Sequence, residues 1–473
     1  MAHVYLSAAH KSSGKTVIAT GLCAALRAMG NTVQPFKKGP DYIDPMWLSR
    51  AAGRPCRNLD FFTMAQAEIV AACHRYGACA DVSIIEGTKG LHDGVAVDGS
   101  DSNAALAKLI GSPVILVIDA RGLTRGVAPL VAAQSRFDED VRTAGVILNR
   151  VGGSRHEGKL RAAVERYTDI PVLGAVSDDK ALVIPEGHLG LLPANAHPKA
   201  GRVVELVAEA VRAQVDLERV LRVAGGACWP AASGDVQRPN DTGRTVRIGV
   251  ARDAVFGFYY PEDLEGLQAA GAELHFFDTL IDESLPDVDA LFIGGGFPER
   301  HMDALAANTP LRRALRRRIG AGLPVYAECG GLMYLSRSLE QEGKRAAMVG
   351  VIEADAIMHE KPQGRGYVRL RETGKIPWPL LDGDRKDRIV CAHEFHYSDL
   401  INCAPDLDFA YEVVRGRGVD GEHDGLVVRN VLASFSHLRD VGANVWTRRF
   451  VAFVRDRQGR SEASVNGLRA HGI

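Results

Sequence analysis

The sequence lacks any cysteine pair at metal or redox spacing. Its eight cysteines (Cys23, Cys56, Cys73, Cys79, Cys228, Cys329, Cys391, Cys403) are scattered with no CxxC. That excludes a zinc framework and a disulfide ladder, and it fits a reducing compartment. Excess charge of either sign is missing too: 57 Lys plus Arg face 58 Asp plus Glu, a formal net charge of -1. Such a chain has no global positive field to gather nucleic acid or anionic lipid, so a polyanionic partner must be met by a local basic patch. Long apolar runs are absent as well. The strongest, Pro113 to Asp119, falls far short of the ~20 residues of a membrane helix and has the length of a buried strand. Met1 to Leu6 runs straight into a Gly/Ser-rich turn, without the basic flank and apolar core of a secretion signal. A soluble cytoplasmic protein with no membrane and no nucleic-acid partner is expected.

What is present is ample core material. Hydrophobic residues make up 46% and charged residues 24% of 473 residues, enough for two or three globular domains. Short β-rich runs (Val4 to Ala9, Thr32 to Phe36, Val82 to Ile85, Val114 to Ile118, Gly145 to Leu148, Val172 to Ala175) alternate with amphipathic stretches such as Thr16 to Met29 and Thr124 to Ser135. That rhythm predicts an α/β, doubly wound parallel sheet over residues 1–224. The pattern lapses in a Gly/Pro/Asn-rich linker, 225–245. It restarts with Arg247 to Ala251, a helix over Pro261 to Ala270, and strands at Glu273 to Phe277, Ala290 to Ile293 and Pro324 to Ala327, giving a second α/β domain over 246–455. Residues 456–473 read as an aperiodic tail.

Ser7-Ala-Ala-His-Lys-Ser-Ser-Gly14-Lys15-Thr16 follows a strand and opens a helix, the context of a phosphate loop, although Ala9 stands where the first glycine is usual. There Ser13, Gly14, Lys15, Thr16 and Val17 would hold ATP, with N–H groups cradling the phosphates and the threonine hydroxyl ligating Mg2+. Two acidic loops follow strands in the same half: Lys37 to Pro45, and Glu86 to Gly94. Strand carboxyl ends line the crevice of such a sheet, so Glu86 and Asp41, with Asp44 as a further candidate, are expected to supply magnesium's carboxylate oxygens. A turn or helix cap is the alternative use of such acids, and the convergence of three loops favours the ligand role. Asn149, closing the strand at Gly145 to Leu148, is placed to read an adenine edge or to make a turn. Lys37, Lys38, Arg57 and Lys89 add positive charge that suits a substrate with several carboxylates, unless they are solvated surface groups.

In the second domain Pro324 to Ala327 runs into Glu328-Cys329-Gly330-Gly331 and a helix, a nucleophile elbow in which the helix N-terminus would lower the thiol pKa. Gly294-Gly295-Gly296 also ends a strand; Gly295 and Gly296, with Gly330 at the elbow, would offer N–H groups to an oxyanion. His437 is the natural general base. The alternative for Cys329 is an inert buried thiol. His393 to Ser398 forms a polar cluster that is either substrate-facing or structural.

Together these runs resemble the cobyrinic acid a,c-diamide synthase family, glutamine-dependent amidotransferases of tetrapyrroles. The resemblance rests on Ser13 to Thr16, Gln34 to Lys37 with Gly39 to Pro45, Gly53 to Pro55 with Arg57 to Asp60, Glu86-Gly87 with Gly90-Leu91 and Asp93-Gly94, Phe258 to Glu262, Gly294 to Glu299, Glu328 to Leu335 and His393 to Ser398. It implies an N-terminal ATP-dependent synthetase domain akin to dethiobiotin synthetase and a C-terminal class I glutaminase domain with a Cys329–His437 pair. Such enzymes lack the acid usual two residues after the histidine, and Arg439 holds that place. Implied partners are glutamine and a tetrapyrrole, whose carboxylate would pass through an acyl phosphate; Asp41, Asp44 and Asp93 are candidates for positioning it or the ammonia, and Lys37, Lys38, Tyr42, Lys89 and His92 for binding the macrocycle. A homodimer is compatible with the resemblance. Thr88-Lys89, His92 and Lys38 depart from the pattern of enzymes acting on cobyrinic acid and resemble the siroheme-amidating subgroup linked to dissimilatory sulfite reductase. The competing class is a partitioning-type P-loop switch that binds a protein partner; it would carry a signature lysine where this chain has His10.

Overall fold

The computed structural model of the chain describes residues 1–187, 190–231, 243–381, 387–442 and 444–470. It divides into two units, Met1–Val236 and Gln237–Ile473, with the cut inside the segment expected as a linker. Of that segment, 232–242 lies outside the described residues. Its first part is not a free tether: Trp229 is buried and stacks on His3 with ring centroids 3.4 Å apart.

The first unit alternates strand and helix: β1 (Ala2–Ala8), α1 (Lys15–Ala28), β2 (Val33–Lys38), α2 (Ile43–Ala52), β3 (Arg57–Leu59), α3 (Gln66–Gly77), β4 (Val82–Glu86), α4 (Asn103–Leu109), β5 (Val114–Asp119), α5 (Val127–Arg136), β6 (Thr143–Val151), α6 (Ser154–Tyr167) and β7 (Val172–Ser177). A two-residue hairpin, β8 (Glu186–Gly187) and β9 (Gly190–Leu191), and helices α7 (Ala200–Gln214) and α8 (Leu217–Gly225) complete it. Strands β1 to β7 form one parallel sheet in the order β3-β2-β4-β1-β5-β6-β7. In β1, β4 and β5 nearly every residue is buried, because helices cover both faces and the alternation of a half-exposed strand is lost. One face is packed by Ile18, Leu22 and Leu26 of α1, Trp47 and Leu48 of α2, and Val207 and Val211 of α7. The six strands expected from the sequence are present with small shifts of their ends; β3, only three residues long, gave no periodic signal.

The second unit contains β10 (Val246–Ala251), β11 (Phe256–Phe258), α9 (Pro261–Ala269), β12 (Ala272–Phe277), β13 (Ala290–Ile293), β14 (Gly295–Gly296), α10 (Met302–Ala307), α11 (Thr309–Gly320), β15 (Val325–Glu328) and α12 (Gly330–Leu335). Then come β16 (Ser336–Gln341), β17 (Lys344–Ala347), β18 (Ile352–Met358), β19 (Gly364–Glu372), β20 (Ile389–His396), β21 (Ser398–Ile401), β22 (Asp408–Arg415), β23 (His423–Val428), β24 (Val431–Ser434) and α13 (Trp446–Ala470). Its main sheet runs β12-β10-β13-β15-β24-β23-β22-β19-β20. The first five strands are parallel and the rest antiparallel. A small antiparallel pair, β11 and β14, and a four-stranded sheet, β17-β16-β18-β21, flank it.

The expected tail after Arg455 is corrected by the structure, since α13 continues to Ala470. Trp446, Phe450, Phe453 and Val454 anchor its first turns in the core, and a helix once nucleated extends through polar residues at little cost. Trp446 lies within 5.3 Å, centroid to centroid, of both Phe292 and Tyr326. Trp446→Ala is therefore expected to lower unfolding stability by about 3 to 5 kcal/mol, read as a fall in the denaturation midpoint of the full chain.

Candidate active sites

In the first unit, three neighbouring strands, β2, β4 and β1, end side by side, and their loops form the site. Lys37 and Glu86 are register partners across β2 and β4. The Lys37 ammonium donates to Asp44 Oδ2 at 2.6 Å and lies 3.1 Å from Glu86 Oε1. Burial alone would pull Lys37 down, but Asp44 and Glu86 hold it above its ordinary pKa. Thr16 donates its hydroxyl to Glu86 Oε1 at 2.8 Å, which ties the start of α1 to the end of β4. Glu86 Oε2 is buried with no hydrogen-bond partner among the described residues, and burial pushes its carboxyl up. A hydroxyl beside an unsatisfied buried carboxylate oxygen suits a hard cation. Among the described residues no group of three or more His, Cys, Asp or Glu could hold a metal alone, so phosphate oxygens or water would have to complete such a site.

The phosphate loop is shaped by backbone conformation. Gly14 sits at φ +85°, and a Cβ there would come within 2.1 Å of Asn149 Nδ2. Ser12 also has positive φ, and its carbonyl accepts from Arg150, which pairs with Asp119 at 2.7 Å. Asn149 donates to the Ser13 carbonyl at 2.9 Å. Its amide nitrogen thus props the loop instead of facing a base edge. The hydroxyl of buried Ser13 donates to the His10 carbonyl, and Val17 is half-buried in the first turn of α1. Lys15 donates to the Lys89 carbonyl at 2.5 Å. Burial and the neighbouring Lys37 charge lower Lys15 to about 8.

Several expected roles change. Asp41 Oδ1 accepts from the N–H groups of Ile43 and Asp44, so that oxygen caps α2; burial and Asp44 push its carboxyl up to about 7. Lys37 is buried in its ion pairs and is not a cation presented to a macrocycle. Arg57 lies over the Tyr76 ring at 3.9 Å. Lys38 is largely shielded, and burial lowers it. Tyr42 is buried at the start of α2, whereas Lys89 is exposed at positive φ. His92 packs on Phe137 and bonds the Gln134 carbonyl at 2.9 Å. Asp93, exposed, accepts from Gly90 N–H at 2.9 Å. Asn103 and Asn58, which no motif signalled, organise the loops: Asn103 bonds Tyr5, Thr88 and Gly90, and Asn58 bonds the Gly39 and Asp41 carbonyls.

In the second unit, Cys329 links β15 to α12 at φ 46°, ψ -101°, a conformation that costs a non-glycine residue on the order of 1 to 3 kcal/mol. The elbow is pressed against the glycine loop: a Cβ on Gly330 would lie 3.0 Å from Gly296 N, and one on Gly295 would lie 2.5 Å from His437 Cε1. Only glycine lets thiol loop, glycine loop and histidine approach this closely. The expected lowering of the thiol is reversed. Burial, then the nearby Glu299 carboxyl, pushes Cys329 well up, and a six-residue α12 does not offset that. Burial raises Glu299 itself to about 7. His393 stacks on His437 at 4.9 Å, held neutral chiefly by burial. His396 stacks on Phe435 at 4.0 Å, and Glu394 accepts from Arg417 and Gly418 N–H, so this part of the polar cluster is structural. Sequence reasoning passed over Glu328, whose Oε2 lies 3.2 Å from His437 Nδ1.

Comparison with known proteins agrees with this division. Residues 8–189 match the CobQ/CobB/MinD/ParA nucleotide binding domain, and residues 247–442 the CobB/CobQ-like glutamine amidotransferase domain. The chain is 46% identical over 97% of its length to a cobyrinate a,c-diamide synthase of Magnetococcus marinus, covering 98% of that protein. Proteins of the same name from Archaeoglobus fulgidus (40% identity, 95% of this chain, 96% of that one) and Methanosarcina acetivorans (39%, 93% and 92%) are also similar. No helix among the described residues is long and apolar enough to cross a membrane. Gly14→Ala is expected to leave the fold intact while weakening nucleotide binding about tenfold or more in calorimetric titration, since a left-handed alanine costs about 1 to 2 kcal/mol before Asn149 is displaced.

Proposed function

The chain belongs to the cobyrinate a,c-diamide synthase family, and on that footing we propose how this glutamine-dependent amide ligase works. Cys329 attacks the side-chain amide of glutamine after His437 takes the thiol proton. N–H groups of the Gly295–Gly296 loop and of Gly330 meet the oxyanion, a contribution of about 3 to 4 kcal/mol per donor in comparable sites. His437 returns the proton to departing ammonia, and water releases glutamate. The observation that carries this reading is the strained elbow at Cys329, held within atomic contact of the glycine loop that also abuts His437.

In the first unit the acceptor is a side-chain carboxylate of a tetrapyrrole. A carboxylate resists ammonia until one oxygen becomes a leaving group, so transfer of the γ-phosphoryl of ATP to it precedes amidation. Lys15 and the N–H groups of the loop from Ser13 to Thr16 orient the phosphates. Thr16 and Glu86 would hold Mg2+, which supplies positive charge at the phosphate oxygens. Asp41, poised near neutrality, Asp44 and Asp93 remain candidates for placing the carboxylate or the ammonia. Cobyrinate is the substrate in the relatives' names. Siroheme is the second reading, favoured by exposed Lys89 beside Thr88 and by His92, where cobyrinate enzymes are expected to be apolar or aromatic. The partitioning-switch alternative is disfavoured by the amidotransferase half and by His10.

Incubation with ATP, glutamine and, in parallel, cobyrinate or siroheme, followed by counting amides by mass spectrometry, identifies the macrocycle; no amide on any tetrapyrrole defeats the proposal. Cys329→Ala is expected to abolish glutamine-dependent amidation and to retain the reaction driven by ammonium salts. The depressed Lys15 gives a pH signature. At pH 8 about half of the ligand-free molecules carry a neutral Lys15, and a polyphosphate restores the charge. MgATP binding near pH 8 should therefore take up roughly half a proton, read by calorimetry in buffers of different ionisation enthalpy, and Lys15→Arg should remove that uptake.

A further inference from the structure

We infer that Glu328 is the positioning residue that fixes the tautomer and orientation of His437, supplying from the residue before the nucleophile the acid that is absent two residues after the histidine. The inference rests on the proposed roles of Cys329 and His437. Glu328 ends β15 opposite Ser434 of β24, so a single strand end carries both the nucleophile and the carboxylate, and the adjacent strand end leads to His437. The carboxylate is 1% exposed and gathers three donors. Tyr326 OH, two residues back on the same strand face, donates to Oε1 at 2.5 Å; Leu438 N–H donates to Oε1 at 3.0 Å; His437 Nδ1 faces Oε2 at 3.2 Å.

An ionised carboxylate only accepts, so Nδ1 carries the proton and Nε2 carries the lone pair. The ring cannot turn without breaking this contact, because its Cε1 edge faces Gly295 and its plane stacks on His393. When His437 takes the Cys329 proton, the imidazolium gains a buried counter-charge at Nδ1. The surrounding groups leave that role to Glu328. Asp263 is already engaged, its Oδ1 accepting from the Asp440 N–H and the Trp446 indole N–H, and burial, then the Glu328 charge, pushes its carboxyl well up; burial pulls His393 well down. Arg439, in the position where the acid would be usual, lies over the Tyr260 ring at 4.9 Å and 3.7 Å from Glu262.

The test uses the full chain. Glu328→Gln keeps the size and an acceptor, but its amide N–H presented to Nδ1 forces the proton onto Nε2. Glutamate release is expected to fall about 10²-fold or more in kcat with glutamine KM little changed, and Glu328→Asp to recover part of the loss. Ammonium-driven amidation, chemistry of the other unit, is the internal control. Wild-type kcat for glutamate release in Glu328→Gln overturns the inference, as does equal loss of both activities. Independently of variant folding, ¹⁵N spectra of histidine-labelled wild-type protein, with His437 assigned by difference from His437→Gln, should show the Nδ1–H tautomer; the Nε2–H tautomer overturns the inference. Cys329→Ala run in parallel separates the cases: if it still releases glutamate, the reading of the site itself fails, whereas if only Glu328→Gln stays active, the positioning role alone fails.

Discussion

The first site depends on one ammonium placed between two carboxylates. Lys37 is as deeply buried as the strand residues around it, and a charge there is tolerated only because Asp44 and Glu86 meet it. The parallel register of β2 and β4 puts Lys37 opposite Glu86, so the pairing is built into the sheet. Everything next to it follows. Glu86, partly neutralised, can stand beneath the Thr16 hydroxyl. Asp44 is drawn in at the start of α2, where Asp41 caps the helix. Lys15, lowered by burial and then by the Lys37 charge, would regain its own charge beside a polyphosphate.

The second unit obeys the same rule with the sign reversed. Its central buried charge is an anion, Glu328, met by a phenol, a backbone N–H and an imidazole. Breaking one such contact leaves the others strained and the charge uncompensated, which is why a buried network of this kind rigidifies its members. The Cys329 thiol lies in the same dry region, and burial keeps it protonated. A thiol held this way is a poor nucleophile until a base is in place, so the histidine's orientation matters more here than in a site with a preformed thiolate.

Much of this was legible in the sequence because the strongest signals are local. Gly14-Lys15-Thr16 after β1, the Gly294 to Gly296 run and Cys329-Gly330-Gly331 each encode a backbone shape that few other residues could adopt, and strand-to-helix context follows from hydrophobic period. What escaped was set by register between distant segments. Asn103 organises a loop fifteen residues earlier, and Glu328 looks like an ordinary strand-end acid until β24 brings His437 beside it. Lys37 reads in the sequence as a crevice cation for a polycarboxylate substrate; only the β2–β4 pairing shows that it is buried against Glu86 and Asp44. The thiol pKa departs from the sequence expectation for a related reason, since the helix N-terminus is visible in sequence and the depth of burial is not. The tail expected after Arg455 is instead the continuation of α13, because the helix is anchored by Trp446 through aromatic contacts across the core.

The near balance of 57 cationic and 58 anionic side chains now has a mechanical sense. On the proposed mechanism, a chain that binds polyphosphate in one half and forms a transient oxyanion in the other gains nothing from a global field of either sign. Cationic side chains gather at the phosphate loop as Lys15 and Lys37, whereas Arg439, two residues from His437, lies over the Tyr260 ring and near Glu262. An oxyanion beside Cys329 would be left to backbone N–H groups. They stabilise charge only within hydrogen-bond distance, so a glycine-shaped loop can meet an anion in each half without altering the net charge of the whole.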